Sequence, residues 1–142
     1  MKQRDNLLRL KRFRIGELKR QMTTLAAMSA GVERKLTDLE ESVARERQRA
    51  NDSDLGRLAF PSFLRAMDSR RENLKATFRE LERERSQAAL ELDRVCEELK
   101  VLELSVEQET RRGAEAELRK SRARLDHPAI GRPLRKQAAR QI

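Results

Sequence analysis

The sequence predicts an all-α protein, a long antiparallel two-helix coiled-coil hairpin. Three observations predict it: a composition dominated by charge, two long apolar seams at alternating four- and three-residue spacing, and a short polar turn between them. Of the 142 residues, 40% are Asp, Glu, Lys or Arg and only 3% are aromatic, with four Phe and no Trp or Tyr. A globular core draws much of its buried area from bulky aromatic side chains. Richness in Ala, Glu, Lys, Leu and Arg suits long helices instead, provided the apolar residues are periodic.

The first seam supplies that period. It runs Leu8, Lys11, Ile15, Leu18, Met22, Leu25, Ser29, Val32, Leu36, Leu39 and Val43, and nine of the eleven positions are apolar. This is the a/d spacing of a coiled coil, in which one stripe of the helix faces a partner. Helix one is expected over about residues 4–50. The second seam runs Phe60, Leu64, Met67, Arg71, Leu74, Phe78, Leu81, Arg85, Ala88, Leu92, Val95, Leu99, Leu102 and Val106, with twelve of fourteen positions apolar. It fades at Glu109, Gly113 and Ala116. Helix two is expected over about 61–126, its last part without a full-length partner.

The turn is expected at about 51–60. It opens with Asn51-Asp52-Ser53-Asp54-Leu55-Gly56, short polar side chains that compete with the helix backbone, followed by a glycine. Pro61 then fits the first turn of a helix, where its missing N–H is not needed. A single amphipathic helix cannot bury its own seam, and the short connection makes the other helix the nearest partner. A parallel dimer of long helices is the alternative packing. The hairpin is expected to fill residues 1–126. Pro128, Gly131 and Pro133 stop the helix and leave a basic, disordered tail at 127–142. If the fold-back centres near residue 55, Arg71 comes close to Asp38, Glu40 and Glu41, and an ion pair there fixes the register.

The formal charge of +9 is uneven. Residues 1–20 hold eight Lys or Arg against Asp5 and Glu17, and residues 119–142 hold eight against Asp126. An antiparallel hairpin brings both clusters to one end, where they suit an acidic surface, nucleic acid or anionic lipid. Leu10 and Phe13 fall off the seam beside this charge, as do Val101 and Leu104 on helix two. Exposed apolar residues of this kind mark a binding face, or a flat patch covered by arginine stems. Nucleic acid is the weaker reading, because no aromatic residues interleave with the basic ones and no base-reading motif is present. At the other end Phe60, Leu64 and Met67 lie on the seam and suit closure of the tip, while Phe63 flanks it and can reach a partner.

Catalytic groups do not converge. His127 is the only histidine and stands beside Pro128. Cys96, the only cysteine, flanks the seam as a half-buried small hydrophobe and allows no internal disulfide. Nucleophilic pairs, metal-ligand clusters and phosphate loops are missing, so no enzyme, cofactor, metal or small-molecule substrate is expected. No apolar run approaches the ~18 residues of a membrane span, and the first residues lack a secretory signal pattern. A soluble cytoplasmic protein that works by binding other proteins is expected.

Several segments carry a family likeness. Leu7-Leu8-Arg9-Leu10-Lys11-Arg12-Phe13 leads into the first coil, Phe60-Pro61-Ser62-Phe63 precedes Arg70-Arg71-Glu72-Asn73-Leu74, and Glu97-Glu98-Leu99-Lys100-Val101-Leu102-Glu103 follows. With the length and the basic ends, these resemble the FliJ family of flagellar type III export proteins in its alphaproteobacterial form, over roughly residues 1–110. The resemblance implies a cytoplasmic coupling protein, peripheral to the inner membrane through its partners. Those partners are the hexameric export ATPase, the cytoplasmic domain of the membrane export gate and export chaperones. It implies that Arg4, Arg9, Leu10, Lys11, Arg12 and Phe13 engage the ATPase ring. It implies a gate contact through Phe60, Phe63 and Met67, since an aromatic followed four residues later by an aliphatic matches Phe63 and Met67. Met67 stands where a branched aliphatic is more usual. A generic coiled-coil tether, an injectisome stalk protein and a basic nucleic-acid-binding coiled coil are the other readings.

Overall fold

The computed structural model describes residues 2–126. They form two helices, α1 (Lys2–Asp52) and α2 (Asp54–Leu125), with no strand among the described residues. The expected disordered tail at 127–142, with His127, Pro128, Gly131 and Pro133, lies outside the described residues. Two compact units share the helices. One is Arg9–Glu97; the other joins residues 2–8 to residues 98–126.

In the unit Arg9–Glu97 the two helices run antiparallel. Arg14, early in α1, pairs with Glu91 of α2 at 2.8 Å, while Glu40, late in α1, pairs with Arg71 at 2.7 Å. Between these ties lie two apolar clusters. Leu18, Ala88 and Val95 are buried with Ile15, Met22 and Leu92 packed against them. Leu25, Val32 and Leu81 are buried with Leu36, Leu74 and Phe78 against them. All of these are seam positions, which is why the heptad spacing makes this fold: a stripe repeating every 3.5 residues stays turned toward one partner along the whole contact.

Burial follows the seam residue by residue. None of the eleven positions on α1 is exposed, and the spacing continues through half-buried Glu46 to buried Ala50. On α2 thirteen of the fourteen are buried or half-buried, and Arg85 alone is exposed. The long arginine stem lets the charge leave a seam position for water. Ser29 cannot do the same. It is 5% exposed, and its hydroxyl makes no hydrogen bond. A buried polar group without a partner costs stability.

In the unit of residues 2–8 and 98–126, Leu8 is buried, and Leu99, Leu102 and Val106 are half-buried. Arg4 makes an ion pair with Glu109. Beyond Val106 every described residue is exposed, so α2 continues there as a solvated helix, as the fading seam predicts.

The connection is far tighter than the expected turn over 51–60. Asn51 and Asp52 complete α1, Ser53 alone is non-helical, and Asp54 already starts α2. Three side chains, or their absence, make this possible. The Ser53 hydroxyl accepts the Gly56 backbone N–H at 2.9 Å, an N-cap of the kind worth about 1 kcal/mol. The Ser53 carbonyl accepts the Arg57 backbone N–H at 3.1 Å. The Arg57 guanidinium reaches back to the Asn51 carbonyl at 3.4 Å, near the open end of α1. Gly56 closes the corner. A Cβ built there stands 2.8 Å from the Ser53 hydroxyl and 3.1 Å from both the Ala50 Cα and the Arg49 carbonyl. Early entry into α2 also moves Pro61 out of the first turn, where the spacing had placed it, to the eighth residue of the helix. Arg57 and Pro61 are both exposed, so water can reach the Arg57 carbonyl that Pro61 cannot serve.

The corner predicts opposite responses to one substitution. Gly56→Ala lowers stability by a net ~1 kcal/mol in a urea titration, because crowding of the α1 backbone outweighs the helix propensity gained. Gly113→Ala, with nothing within 4 Å, strengthens the helical signal of the C-terminal part of α2 and never weakens it. Ser29→Ala removes the unpartnered buried hydroxyl and raises stability by about 1 kcal/mol in the same titration.

Candidate interaction surfaces

Two surfaces in the unit Arg9–Glu97 carry pairs of large apolar side chains that the hairpin does not cover. The first is on α1. The seam turns Ile15 and Leu18 toward α2, so Leu10 and Phe13, three residues apart, come out on the far side. They are 62% and 61% exposed. Arg9 and Arg12 beside them are exposed, and Lys11 is half-buried on the seam. An apolar pair set among cations suits a partner that offers an apolar pocket with a carboxylate rim. Arg4, grouped with these residues from the sequence, belongs to the other unit and is held by Glu109. Val101 and Leu104, also in that unit, are 66% and 57% exposed.

The second surface is the corner end. Phe60, Phe63 and Met67, the residues implied for a gate contact, are all half-buried. The Phe60 and Phe63 rings lie 6.5 Å apart and tilted by 32°. The Arg47 guanidinium sits over the Phe60 ring at 5.8 Å, so α1 contributes a cation to cover it. Met67 lines a shallow groove with Lys35, Asp38, Leu39, Ser42 and Arg70. The large apolar side chains left bare at this end are instead Leu55 and Leu58, each 79% exposed. Heptad reading ranked aromatics by their place on the seam and gave Leu55 to a turn. The signal that finds these leucines is their three-residue spacing, once the segment is known to be helical.

Two ion pairs cross between the helices in the same register as the seam. Arg71 was expected near Asp38, Glu40 and Glu41. It donates to Glu40 at 2.7 Å and also to Asp68, one turn earlier on its own helix, at 2.7 Å. The hydrogen bond to Glu40 raises the Arg71 pKa above its ordinary value against the opposing effect of desolvation, so the guanidinium stays charged. Arg14 behaves alike: its hydrogen bond to Glu91 is the main cause of a raised pKa. Among the described residues no group of three or more His, Cys, Asp or Glu side chains is placed to hold a metal ion. Nor is any helix among them long and apolar enough to cross a membrane. Cys96 is a free, half-buried thiol.

Comparison of the chain with models of protein families, with curated proteins and with solved structures finds no match.

The Arg71 geometry makes a selective prediction. In a double-mutant cycle, Arg71→Ala and Glu40→Ala are non-additive, and the coupling shrinks as salt is raised. Arg71→Ala combined with Glu41→Ala is additive. Equal coupling to both glutamates rejects the register.

Proposed function

We propose that this chain is a non-enzymatic coupling component of the flagellar type III export apparatus, of the FliJ kind. In this reading it is cytoplasmic and peripheral to the inner membrane through its partners. It links the hexameric export ATPase to the cytoplasmic domain of the export gate and assists export chaperones. The observation that carries the reading is the exposed pair Leu10 and Phe13 among Arg9 and Arg12, in a segment whose order of residues resembles that family. The antiparallel hairpin, the family's architecture, supports it as well.

The division of labour follows from exposure. Leu10 and Phe13 supply apolar contact with the ATPase, and Arg9 and Arg12 speed encounter with an acidic rim. Phe63, half-buried beside the seam, and Met67, in its groove, contribute to the gate contact from the corner end. The chain brings no nucleophile or base to ATP. It acts by changing the assembly or conformation of the ring.

Co-sedimentation with the hexameric export ATPase tests the proposal. The full chain sediments with the ring and changes its ATPase rate. Leu10→Ala with Phe13→Ala weakens binding at least ~tenfold without loss of helical signal, as expected when exposed anchors are removed. A chain that neither sediments with the ring nor alters its rate rejects this function and leaves a coiled-coil tether as the reading.

A further inference from the structure

Beyond Val106, α2 carries a second apolar stripe in a different phase from the hairpin seam. The seam phase fades through Glu109, Gly113 and Ala116, while Ala114, Leu118, Ser121 and Leu125 recur at four- and three-residue spacing on another face. All four are exposed, Leu118 and Leu125 by 54% and 75%.

The charges of this segment are segregated along its length. Residues 107–117 hold four Glu against Arg111 and Arg112, whereas residues 118–125 hold Arg119, Lys120, Arg122 and Arg124 and no acid. An acidic helix laid along the stripe is repelled by the first half, and a basic helix by the second. Anionic headgroups that attract the second half repel the first. A second copy running parallel sets acid against acid and base against base. A second copy running antiparallel sets the acidic half of each against the basic half of the other.

Packing selects the same arrangement. With a two-fold axis between Arg119 and Lys120, Leu118 faces Ser121 of the second copy and Leu125 faces its Ala114, so every layer sets a large side chain against a small one. The parallel alignment stacks leucine on leucine and leaves Ala114 and Ser121 facing their own kind. Glu115 and Arg122 flank the stripe on one side, Glu117 and Arg124 on the other. In the antiparallel register Glu115 meets Arg122 of the second copy, and Glu117 meets its Arg124. Arg119 and Lys120, on the far side of the helix, hold Glu115 at 3.8 Å and Glu117 at 3.9 Å, but among the described residues Arg122 and Arg124 have no carboxylate partner.

We infer that the face of α2 from Ala114 to Leu125 is a self-association site, where two copies of the chain pair antiparallel through Leu118 and Leu125. It is separate from Leu10 and Phe13 and does not depend on the export assignment.

Sedimentation equilibrium of the full chain in near-physiological salt tests it. The chain shows a reversible monomer–dimer equilibrium, and Leu118→Ala with Leu125→Ala raises the dimer Kd at least roughly tenfold while circular dichroism stays unchanged. Glu115→Arg with Glu117→Arg, or Arg122→Glu with Arg124→Glu, abolishes self-association. An equal mixture of these two variants forms a mixed dimer at lower concentration than the natural chain, because every flanking pair is then attractive. A spin label at Gln108, in a chain with Cys96→Ser, reports ~35 Å or more between copies in the antiparallel register. A chain that stays monomeric throughout overturns the inference. So does association that survives loss of both leucines, or that depends on Leu10 and Phe13 instead. A short distance between the two Gln108 labels, the mark of a parallel pair, overturns it too.

Discussion

Everything in this molecule depends on burial of one narrow apolar stripe. Among the described residues, the apolar seam of α1 from Leu8 to Ala50 is covered by α2. Few aromatic side chains are available to deepen the contact. The interface is therefore one layer thick, and each seam residue matters in proportion. That thinness explains why polar seam positions have such different fates. Arg71 and Arg85 have stems long enough to bring their charge to Glu40, Asp68 or water, whereas Ser29 has no route out.

A one-layer interface also leaves most of each helix facing outward. In a globular domain an exposed leucine has little meaning, because a large share of any protein surface is apolar. Here 40% of the residues are charged, and pairs of bare apolar side chains stand out against that background. Leu10 with Phe13, and Leu55 with Leu58, are pairs at adjacent helical turns in the unit Arg9–Glu97. Both pairs keep company with arginine. Stripes of this kind suit contact with another helix or a flat surface, and salt governs how quickly charged surfaces meet.

The seams were legible in the sequence because a coiled-coil period is a local signal repeated many times. Register was legible as well: centring the fold-back near residue 55 brought Arg71 close to Asp38, Glu40 and Glu41, and the structure selects Glu40. The corner was not. Asn51, Asp52, Ser53 and Asp54 all have turn chemistry, and sequence alone does not say that only Ser53 leaves the helix. That outcome depends on Gly56 letting α2 start against the backbone of Arg49 and Ala50, a tertiary contact. Misreading the turn carried over to the surface. With 51–60 taken as a loop, Leu55 and Leu58 had no face, and attention went to Phe60, Phe63 and Met67, which are half-buried. The family likeness concerns residue order, and its implications for partners go beyond what periodicity can supply.

The central claim is that α1 and α2 of one chain bury each other's seam in antiparallel register. Spin labels at exposed Lys19 and Arg94, in a chain with Cys96→Ser, test it most directly. Both positions adjoin the cluster of Leu18, Leu92 and Val95. The account predicts one short distance that is unchanged when labelled chain is diluted with unlabelled chain. In a parallel dimer of straight helices the two sites of one chain stand ~110 Å apart. Loss of the short distance, or its disappearance on dilution, contradicts the hairpin.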